Sequence, residues 1–272
     1  MTIEIKTLHT NAGHTITAQV FTAKTDIIKG VCVIAPATGV AQRLYNDFSK
    51  WINRQGYHAV SFDYDGIGQS IDGHVKHSKS DMLSWANNDC EAVLEFINTE
   101  FPDQAITWIG HSVGGHIHKA ITVAAGTGTW WYNAPPTKRS VWFLWYFLAP
   151  VLVPFLNYFP GKKLGILCDL PKGVIMQWRT WCLKENYAIE HEGQWLKERF
   201  ANVKTPITCI SFSDDDMMSS TSIDALHGCF TGSDVKHVNI EPSDINKKRI
   251  GHIGWHKQSY EALWELAFTP EL

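Results

Sequence analysis

The most informative segment of this 272-residue chain is Ala105-Ile-Thr-Trp-Ile-Gly-His-Ser-Val-Gly114. Its first half is a short apolar run rich in β-branched and aromatic residues, which is typical of a buried strand. Its second half matches the pattern G-x-S-x-G, in which a serine stands on a sharp turn between a strand and a helix. The flanking glycines let neighbouring backbone come close to that turn. The pattern makes Ser112 a candidate nucleophile.

A serine hydroxyl is a weak nucleophile until a base takes its proton and an acid fixes the tautomer of that base. Residues 205–212 read as a buried strand that leads into three consecutive aspartates, 214–216. An acid just past the carboxyl end of a strand lies where open α/β sheets build their sites. His252, between two glycines in a predicted loop before a helix pattern at 259–266, is the candidate base. The sequence therefore supplies a serine, an acid and a histidine in that order.

This order resembles the α/β-hydrolase fold over essentially the whole chain. In detail the chain is similar to a group of bacterial predicted hydrolases in the serine-aminopeptidase-like and esterase branch, most of which have no assigned substrate. Five segments carry the resemblance: Asp63-Tyr-Asp-Gly-Ile-Gly-Gln-Ser70, Gly110-His-Ser-Val-Gly-Gly115, Asn157-Tyr-Phe-Pro-Gly161, Ser211-Phe-Ser-Asp-Asp215 and Gly251-His-Ile-Gly254.

The resemblance also bears on which aspartate serves the histidine. Counted from Pro206, the spacing of the family places the acid at Asp215, whereas Asp216 fits only if the strand is one residue longer. The aspartates not used, Asp214 among them, are expected to be solvated loop carboxylates.

An oxyanion hole needs two backbone N–H groups, one from the residue after the nucleophile and one from the loop after the third strand. Val113 supplies the first. Comparison of the loop Pro36-Ala-Thr-Gly39 with the family pattern places Thr38 in the second donor position. Many relatives have His-Gly there, but the donor is main chain, so the residue type matters little.

The rest of the chain predicts a mostly parallel central sheet with an N-terminal antiparallel hairpin, helices on both faces and an aromatic-rich cap insertion. The hairpin pairs 2–8 with 14–21 around Asn11-Ala-Gly13. Strand and helix patterns then alternate, which is the rhythm of parallel strands joined by helices. The strand patterns lie at 31–35 and 58–62, and the helix patterns at 45–55 and 80–99.

The stretch after Ser112 is unusually short. Residues 121–125 look like the next strand, only nine positions on, whereas a crossover between parallel strands ordinarily takes a dozen residues or more. Either the helix after Ser112 is truncated, or it continues through Ala125 and the strand is 128–132. The first alternative is favoured, because relatives place the apolar strand before an aromatic segment like Trp130-Trp-Tyr132.

Residues 127–202 are expected to form a cap inserted in a single domain, 1–272. Within them, Val141–Leu156 contains no charge, but Pro150 and Pro154 interrupt it and it is short for a transmembrane helix. We expect this run, including Trp145 and Phe147, to line an apolar substrate channel.

Two alternatives to the channel remain open. One is ordinary packing, with no ligand role for individual aromatic residues. The other is shallow insertion into a membrane surface, because Lys138-Arg139 and Lys162-Lys163 flank the run and can reach lipid headgroups.

Composition limits the partners and cofactors. The formal net charge of −3 gives no basic field for nucleic acid or for an anionic membrane. The six cysteines show no metal-binding spacing, and neither His111, His116 and His118 nor His74 and His77 have carboxylate or cysteine partners at ligand spacing. We expect no metal and no cofactor. The N-terminus shows no signal-peptide pattern, which favours the cytoplasm, and nothing in the sequence fixes the oligomeric state.

The function that this resemblance implies is hydrolysis of a small apolar carboxylic ester or thioester through Ser112, His252 and Asp215. Acyl transfer and peptide hydrolysis use the same three residues and remain alternatives. So does a non-catalytic protein that binds a small apolar molecule, because fold alone does not settle function.

Overall fold

The computed structural model describes residues 2–112, 119–135 and 137–272. Eight strands form one sheet in the spatial order β1-β2-β4-β3-β5-β6-β9-β10, and β7 and β8 form a small ribbon. The strands are β1 (Thr2–His9), β2 (Thr15–Thr22), β3 (Val31–Ala35), β4 (His58–Asp63), β5 (Ile106–His111), β6 (Lys119–Val123), β7 (Tyr158–Phe159), β8 (Leu170–Pro171), β9 (Ile207–Phe212) and β10 (Val235–Ile240).

The large sheet is antiparallel at one edge and parallel elsewhere. β1 pairs with β2 and β2 with β4 in antiparallel register, whereas the pairs from β4 to β10 are all parallel. Every residue of β3, β4, β5 and β9 is buried, as expected of parallel strands covered on both faces. The predicted hairpin and mostly parallel sheet are confirmed, while β10 was not predicted.

Helices cover both faces of the sheet, as expected. Successive residues of a strand point to opposite faces, and β3 divides accordingly: Val33 packs into one core cluster and Ile34 into another. The first cluster includes α3 (Cys90–Glu100), which continues α2 (Met82–Ser84) through a π-helical turn. The second includes α1 (Asn46–Arg54) and α12 (Glu261–Ala267). Between them in the chain, α10 (Ser220–His227) follows β9 and α11 (Gly251–Gly254) follows β10.

A helical segment lies between β6 and β9 in the chain, where the cap was expected. It contains α4 (Thr137–Phe143), α5 (Ala149–Leu156), α6 (Gly161–Leu164), α7 (Lys172–Cys182), α8 (Tyr187–Glu192) and α9 (Gln194–Ala201). A π-helical turn at Leu144–Leu148 joins α4 and α5 into one 20-residue helix, the α4–α5 helix. By length and composition this helix can cross a membrane, and it is the only helix in the described part of the chain that can. The cap boundaries 127–202 remain a prediction.

The strand after Ser112 follows the first of the two alternatives. β6 spans Lys119–Val123, whereas Trp130–Tyr132 is a 3-10 turn, so a strand at 128–132 is wrong. Residues 113–118, and with them any helix after Ser112, lie outside the described residues. The chain thus has six residues between Ser112 and β6, about half of an ordinary crossover.

Candidate active site

Ser112 directly follows β5 at the carboxyl edge of the parallel strands. Its φ is +67°, in the left-handed region that costs a residue with a Cβ about 1–2 kcal/mol. Such strain persists only where surrounding contacts enforce it, and it is concentrated at functional sites. Here the Ser112 N–H donates to the Val123 carbonyl oxygen at the end of β6, at 3.2 Å. The turn is therefore fastened to the neighbouring strand.

The candidate base and one aspartate are in direct contact. His252 Nδ1 lies 2.8 Å from Asp215 Oδ2, and both residues are buried. Because an ionised carboxylate only accepts hydrogen bonds, Nδ1 carries a proton, and in the neutral imidazole Nε2 then keeps its lone pair. Nε2 is thus in the state that a general base requires. His252 lies in a short helix, α11 (Gly251–Gly254), so the loop expected there is wrong.

Asp215 is held by its second oxygen. Asp215 Oδ1 accepts hydrogen bonds from the backbone N–H groups of Met217 and Met218, at 2.8 and 3.0 Å. Hydrogen bonds from N–H donors stabilise the ionised form of a buried carboxylate. These bonds leave Oδ2 oriented toward His252.

Asp214 is not a solvated loop carboxylate, and that expectation is wrong. Its oxygens accept from the backbone N–H of Ile250 at 2.8 Å and of Gly251 at 3.1 Å. These two residues immediately precede His252, so Asp214 holds the histidine segment against the acid loop. Sequence reasoning missed this role because the partners are 36 and 37 residues away and no local pattern reports them.

Asp216 also has specific side-chain partners, so the expectation of a solvated loop carboxylate is wrong for it as well. Asp216 Oδ2 accepts from the Thr137 hydroxyl at 2.8 Å and lies 3.6 Å from Arg249 Nη2. Thr137 begins α4, and the Asp216 carbonyl oxygen accepts from Ala134 N–H at 3.0 Å. Asp216 therefore joins the start of the α4–α5 helix to the acid loop, and its contacts differ from those of Asp215.

His111, the residue before Ser112, connects several parts of the site. Its Nε2 lies 3.2 Å from the His252 carbonyl oxygen, which only accepts, so Nε2 carries the proton. Its Nδ1, 2.7 Å from the Tyr45 hydroxyl oxygen, is then the acceptor. The Tyr45 oxygen in turn accepts from Ala37 N–H at 3.1 Å. This chain of hydrogen bonds joins the loop after β3, the end of β5 and the histidine segment.

The same contacts exclude His111 as a competing base. Burial, followed by the proximity of His252 and His256, holds the pKa of His111 well below its ordinary value. The ring is neutral, and both of its nitrogens are committed to structural bonds. The sequence did not point to Tyr45, because no motif marks it.

One of the two predicted oxyanion donors lies in the described part of the chain. Thr38 is buried in the loop after β3, next to Gly39, whose carbonyl oxygen accepts from Cys168 N–H at 2.9 Å. At Gly39 an added Cβ would lie only 3.0 Å from Leu167 Cδ1. The helical segment therefore packs closely on this loop. Val113 lies outside the described residues.

Trp145 and Phe147, the predicted channel residues, differ in exposure. Trp145 is 1% exposed, lies 5.1 Å from the Trp178 ring, and accepts a hydrogen bond from Arg179 at its carbonyl oxygen. Its indole N–H has no partner within the described residues. Phe147 is 46% exposed and stacks on Phe143. Their role in substrate binding remains a prediction.

In the described ranges, no group of three histidine, cysteine or acidic side chains is arranged to hold a metal ion. His116 and His118 lie outside these ranges, so only part of the histidine cluster considered from the sequence is covered. The six cysteines are free thiols.

Comparison with known proteins places these residues in a known fold. Residues 26–127 match the family model of the serine aminopeptidases, S33. No functionally curated protein matches the sequence.

Solved structures resemble almost the whole chain. A monoglyceride lipase variant from Saccharomyces cerevisiae has a TM-score of 0.67 at 14% identity, covering 97% of this chain and 92% of the lipase. An esterase domain from a Rhodothermus marinus protein has a TM-score of 0.60 at 13% identity, covering 99% and 96%. A thioesterase domain from the curacin biosynthetic pathway has a TM-score of 0.58 at 15% identity, covering 99% and 100%. The chain has the α/β-hydrolase fold.

Proposed function

We propose that this α/β-hydrolase-fold protein is a serine hydrolase of carboxylic esters or thioesters with a hydrophobic acyl or alcohol part. The observation that supports the proposal most is the 2.8 Å contact between His252 Nδ1 and Asp215. The His252 carbonyl oxygen accepts a hydrogen bond from His111, the neighbour of Ser112. This bond connects the histidine segment to the serine turn. The esterase, lipase and thioesterase folds among the similar structures agree with this reaction class.

Acylation begins at Ser112. His252 Nε2 takes the hydroxyl proton while Ser112 Oγ bonds to the carbonyl carbon and the carbonyl π electrons move to oxygen. The backbone N–H groups of Thr38 and Val113 stabilise the resulting oxyanion. The anion collapses, the bond to the alcohol or thiol breaks, and His252 gives its proton to the leaving group. Asp215 stays ionised and supports the imidazolium.

Deacylation repeats the sequence with water. His252 takes a proton from water, the hydroxide oxygen bonds to the acyl carbon, and the ester bond to Ser112 breaks. His252 then returns the proton to Ser112 Oγ. No cofactor takes part in either half.

A fluorophosphonate probe tests the proposal, because only an activated serine reacts with it quickly. The wild-type protein should gain one phosphonyl group on the peptide that contains Ser112, and Ser112→Ala should gain none. Ser243→Ala, at an exposed serine whose hydroxyl donates to Glu241, is the matched control and should label as the wild type does. Folded wild-type protein that resists the probe would favour the non-catalytic binder.

Product analysis separates the enzyme alternatives. Aryl esters and aminoacyl arylamides are compared first, since the matching family model is that of serine aminopeptidases. We expect faster turnover of the ester. An added alcohol or amine that captures most of the acyl group in place of water would instead assign acyl transfer.

A further inference from the structure

The α4–α5 helix carries an exposed apolar stripe. Phe143, Phe147, Val151 and Phe155 follow one another at intervals of four residues, which places them on one helix face, and all four are exposed. Phe155 is 86% exposed. Trp142, Tyr146 and Leu156 extend the same exposed surface. A contiguous apolar surface of this kind marks an interaction site on a soluble protein.

The opposite face fixes the helix along the protein. Leu144, Trp145, Ala149 and Val153 are buried in the core, and the Arg179 side chain donates to the Trp145 carbonyl oxygen at 2.6 Å. At its start, Thr137 is bonded to Asp216. Although the helix is long enough to span a bilayer, a helix bound along one side lies on a surface instead.

The charges around the stripe have one dominant sign. The chain as a whole has a net charge of −3, yet residues 104–168 contain no aspartate or glutamate. Lys138 and Arg139 lie in the first turn of the helix, and the exposed pair Lys162 and Lys163 follows its end in α6. Two acidic residues, Asp216 and Asp169, lie one near each end and accept hydrogen bonds from Thr137 and from the Lys162 backbone N–H, so the four cations outnumber the carboxylates.

We propose that this face docks on the surface of a bilayer that contains anionic lipid, with the phenylalanines among the acyl chains and the cations at the headgroups. Interfacial helices bind in this way, through buried apolar area and attraction between Lys or Arg and anionic lipid. A second copy of the chain is a poorer occupant. Antiparallel pairing of two such helices would bring the cations at one end against those at the other.

Vesicle flotation tests the proposal with the full chain. Binding is compared between vesicles of phosphatidylcholine alone and vesicles that also contain phosphatidylglycerol. We expect clear preference for the anionic vesicles at low salt and weaker binding at high salt. Docking requires no turnover, so Ser112→Ala should bind as the wild type does, which separates this proposal from the proposed catalysis.

Variants with two substitutions each identify the surface that binds the vesicles. Phe147→Ser with Phe155→Ser, and separately Lys162→Glu with Lys163→Glu, should each lower the partition coefficient by about tenfold or more. The matched controls are Ile27→Ser, at an isoleucine that is 76% exposed, and Lys24→Glu with Lys29→Glu, all in the connection at the amino end of β3. These controls should change the partition coefficient less than about twofold.

Three results would overturn the proposal. They are absence of binding to anionic vesicles, equal losses in the control variants, and a dimer in lipid-free solution that Phe155→Ser dissociates. Sedimentation measures the last of these, and melting temperatures confirm that each variant is folded.

Discussion

The central strands and the α4–α5 helix are both strongly apolar in sequence, but the fold treats them in opposite ways. Every residue of β3, β5 and β9 is buried, whereas the helix leaves a full stripe of aromatic and aliphatic side chains in solvent. Apolar composition alone therefore does not tell core from surface. What distinguishes them is the set of covering elements: the strands have helices on both faces, and the helix has the protein on one face only.

The largest effect is expected from substitutions at the carboxyl ends of the central strands. Asp215→Asn should lower ester turnover by about 10⁴-fold, because the amide does not hold His252 in the required tautomer. Asp216→Asn and Phe155→Ser should leave turnover of a short soluble ester within about threefold of wild type, since neither side chain contacts His252 in this structure. Steady-state kinetics decide the ranking, and a greater loss in Asp216→Asn would reassign the acid.

The next largest effect is expected on unfolding free energy, which should differ between substitutions on the two faces of the α4–α5 helix. Trp145→Ala removes a buried indole and should cost about 3–5 kcal/mol of unfolding free energy. Phe155→Ala, on the exposed face, should change it by less than about 0.5 kcal/mol. Urea denaturation followed by circular dichroism measures both. Comparable losses of unfolding free energy in the two variants would mean that the exposed stripe packs against other residues.

Substitution of Asp214, in the loop after β9, should have an intermediate effect on turnover. Asp214→Ala leaves the Ile250 and Gly251 N–H groups without their acceptor and should loosen the histidine segment. Misplacement of a catalytic group by about 1 Å costs on the order of 10² in rate. We expect that loss in kcat, with KM nearly unchanged. A mutant affected in KM alone would point to a role in substrate binding instead.

The dependence of turnover on acyl chain length tests which face of the α4–α5 helix meets the substrate. If the helix lines the acyl channel, kcat/KM should rise more than about tenfold from aryl acetate to hexanoate and then level off, since each buried methylene contributes up to about 0.8 kcal/mol. Trp145→Ala, on the buried face, should flatten this rise while acetate turnover persists, and Phe147→Ala, on the exposed face, should leave the rise intact. A flat trend only in Trp145→Ala would place the channel on the buried face, and equal wild-type activity on all chain lengths would exclude it.

The smallest expected effect is the change of unfolding free energy with pH. Because burial lowers the pKa of His111, the unfolded chain binds a proton below about pH 6.5 that the folded protein does not. Stability is thereby lost as pH falls from about 6.5 toward the lowered pKa. Buried Asp89 acts in the opposite direction, since desolvation raises its pKa to about 6.

Comparison of His111→Gln with the wild type isolates the contribution of His111 to this pH dependence. His111→Gln should show a shallower loss of unfolding free energy between neutral and mildly acidic pH than wild type, by at most about 1.4 kcal/mol per pH unit. Parallel curves would mean that His111 titrates alike in both states.

Local patterns predicted much of the fold and of the site. Periodicity placed the hairpin, the β-α alternation and the serine turn, because each depends on residues close in sequence. Spacing favoured Asp215, and that carboxylate contacts His252. The partners of Asp214, Asp216 and Tyr45 were beyond this reasoning, because each contact joins segments far apart in the chain. The exposed face of the α4–α5 helix was hidden for another reason: in a run that is apolar all round, periodicity does not report which side is covered.

The left-handed backbone at Ser112 has a consequence for how this chain evolves. Glycine adopts that conformation without the steric cost that serine bears. The folded chain therefore bears a steric cost at position 112 that a glycine would avoid, and we expect serine to be kept there where its hydroxyl is used. Comparison of descendants tests this expectation: glycine at position 112 should be more frequent in those without hydrolase activity than in those that have it.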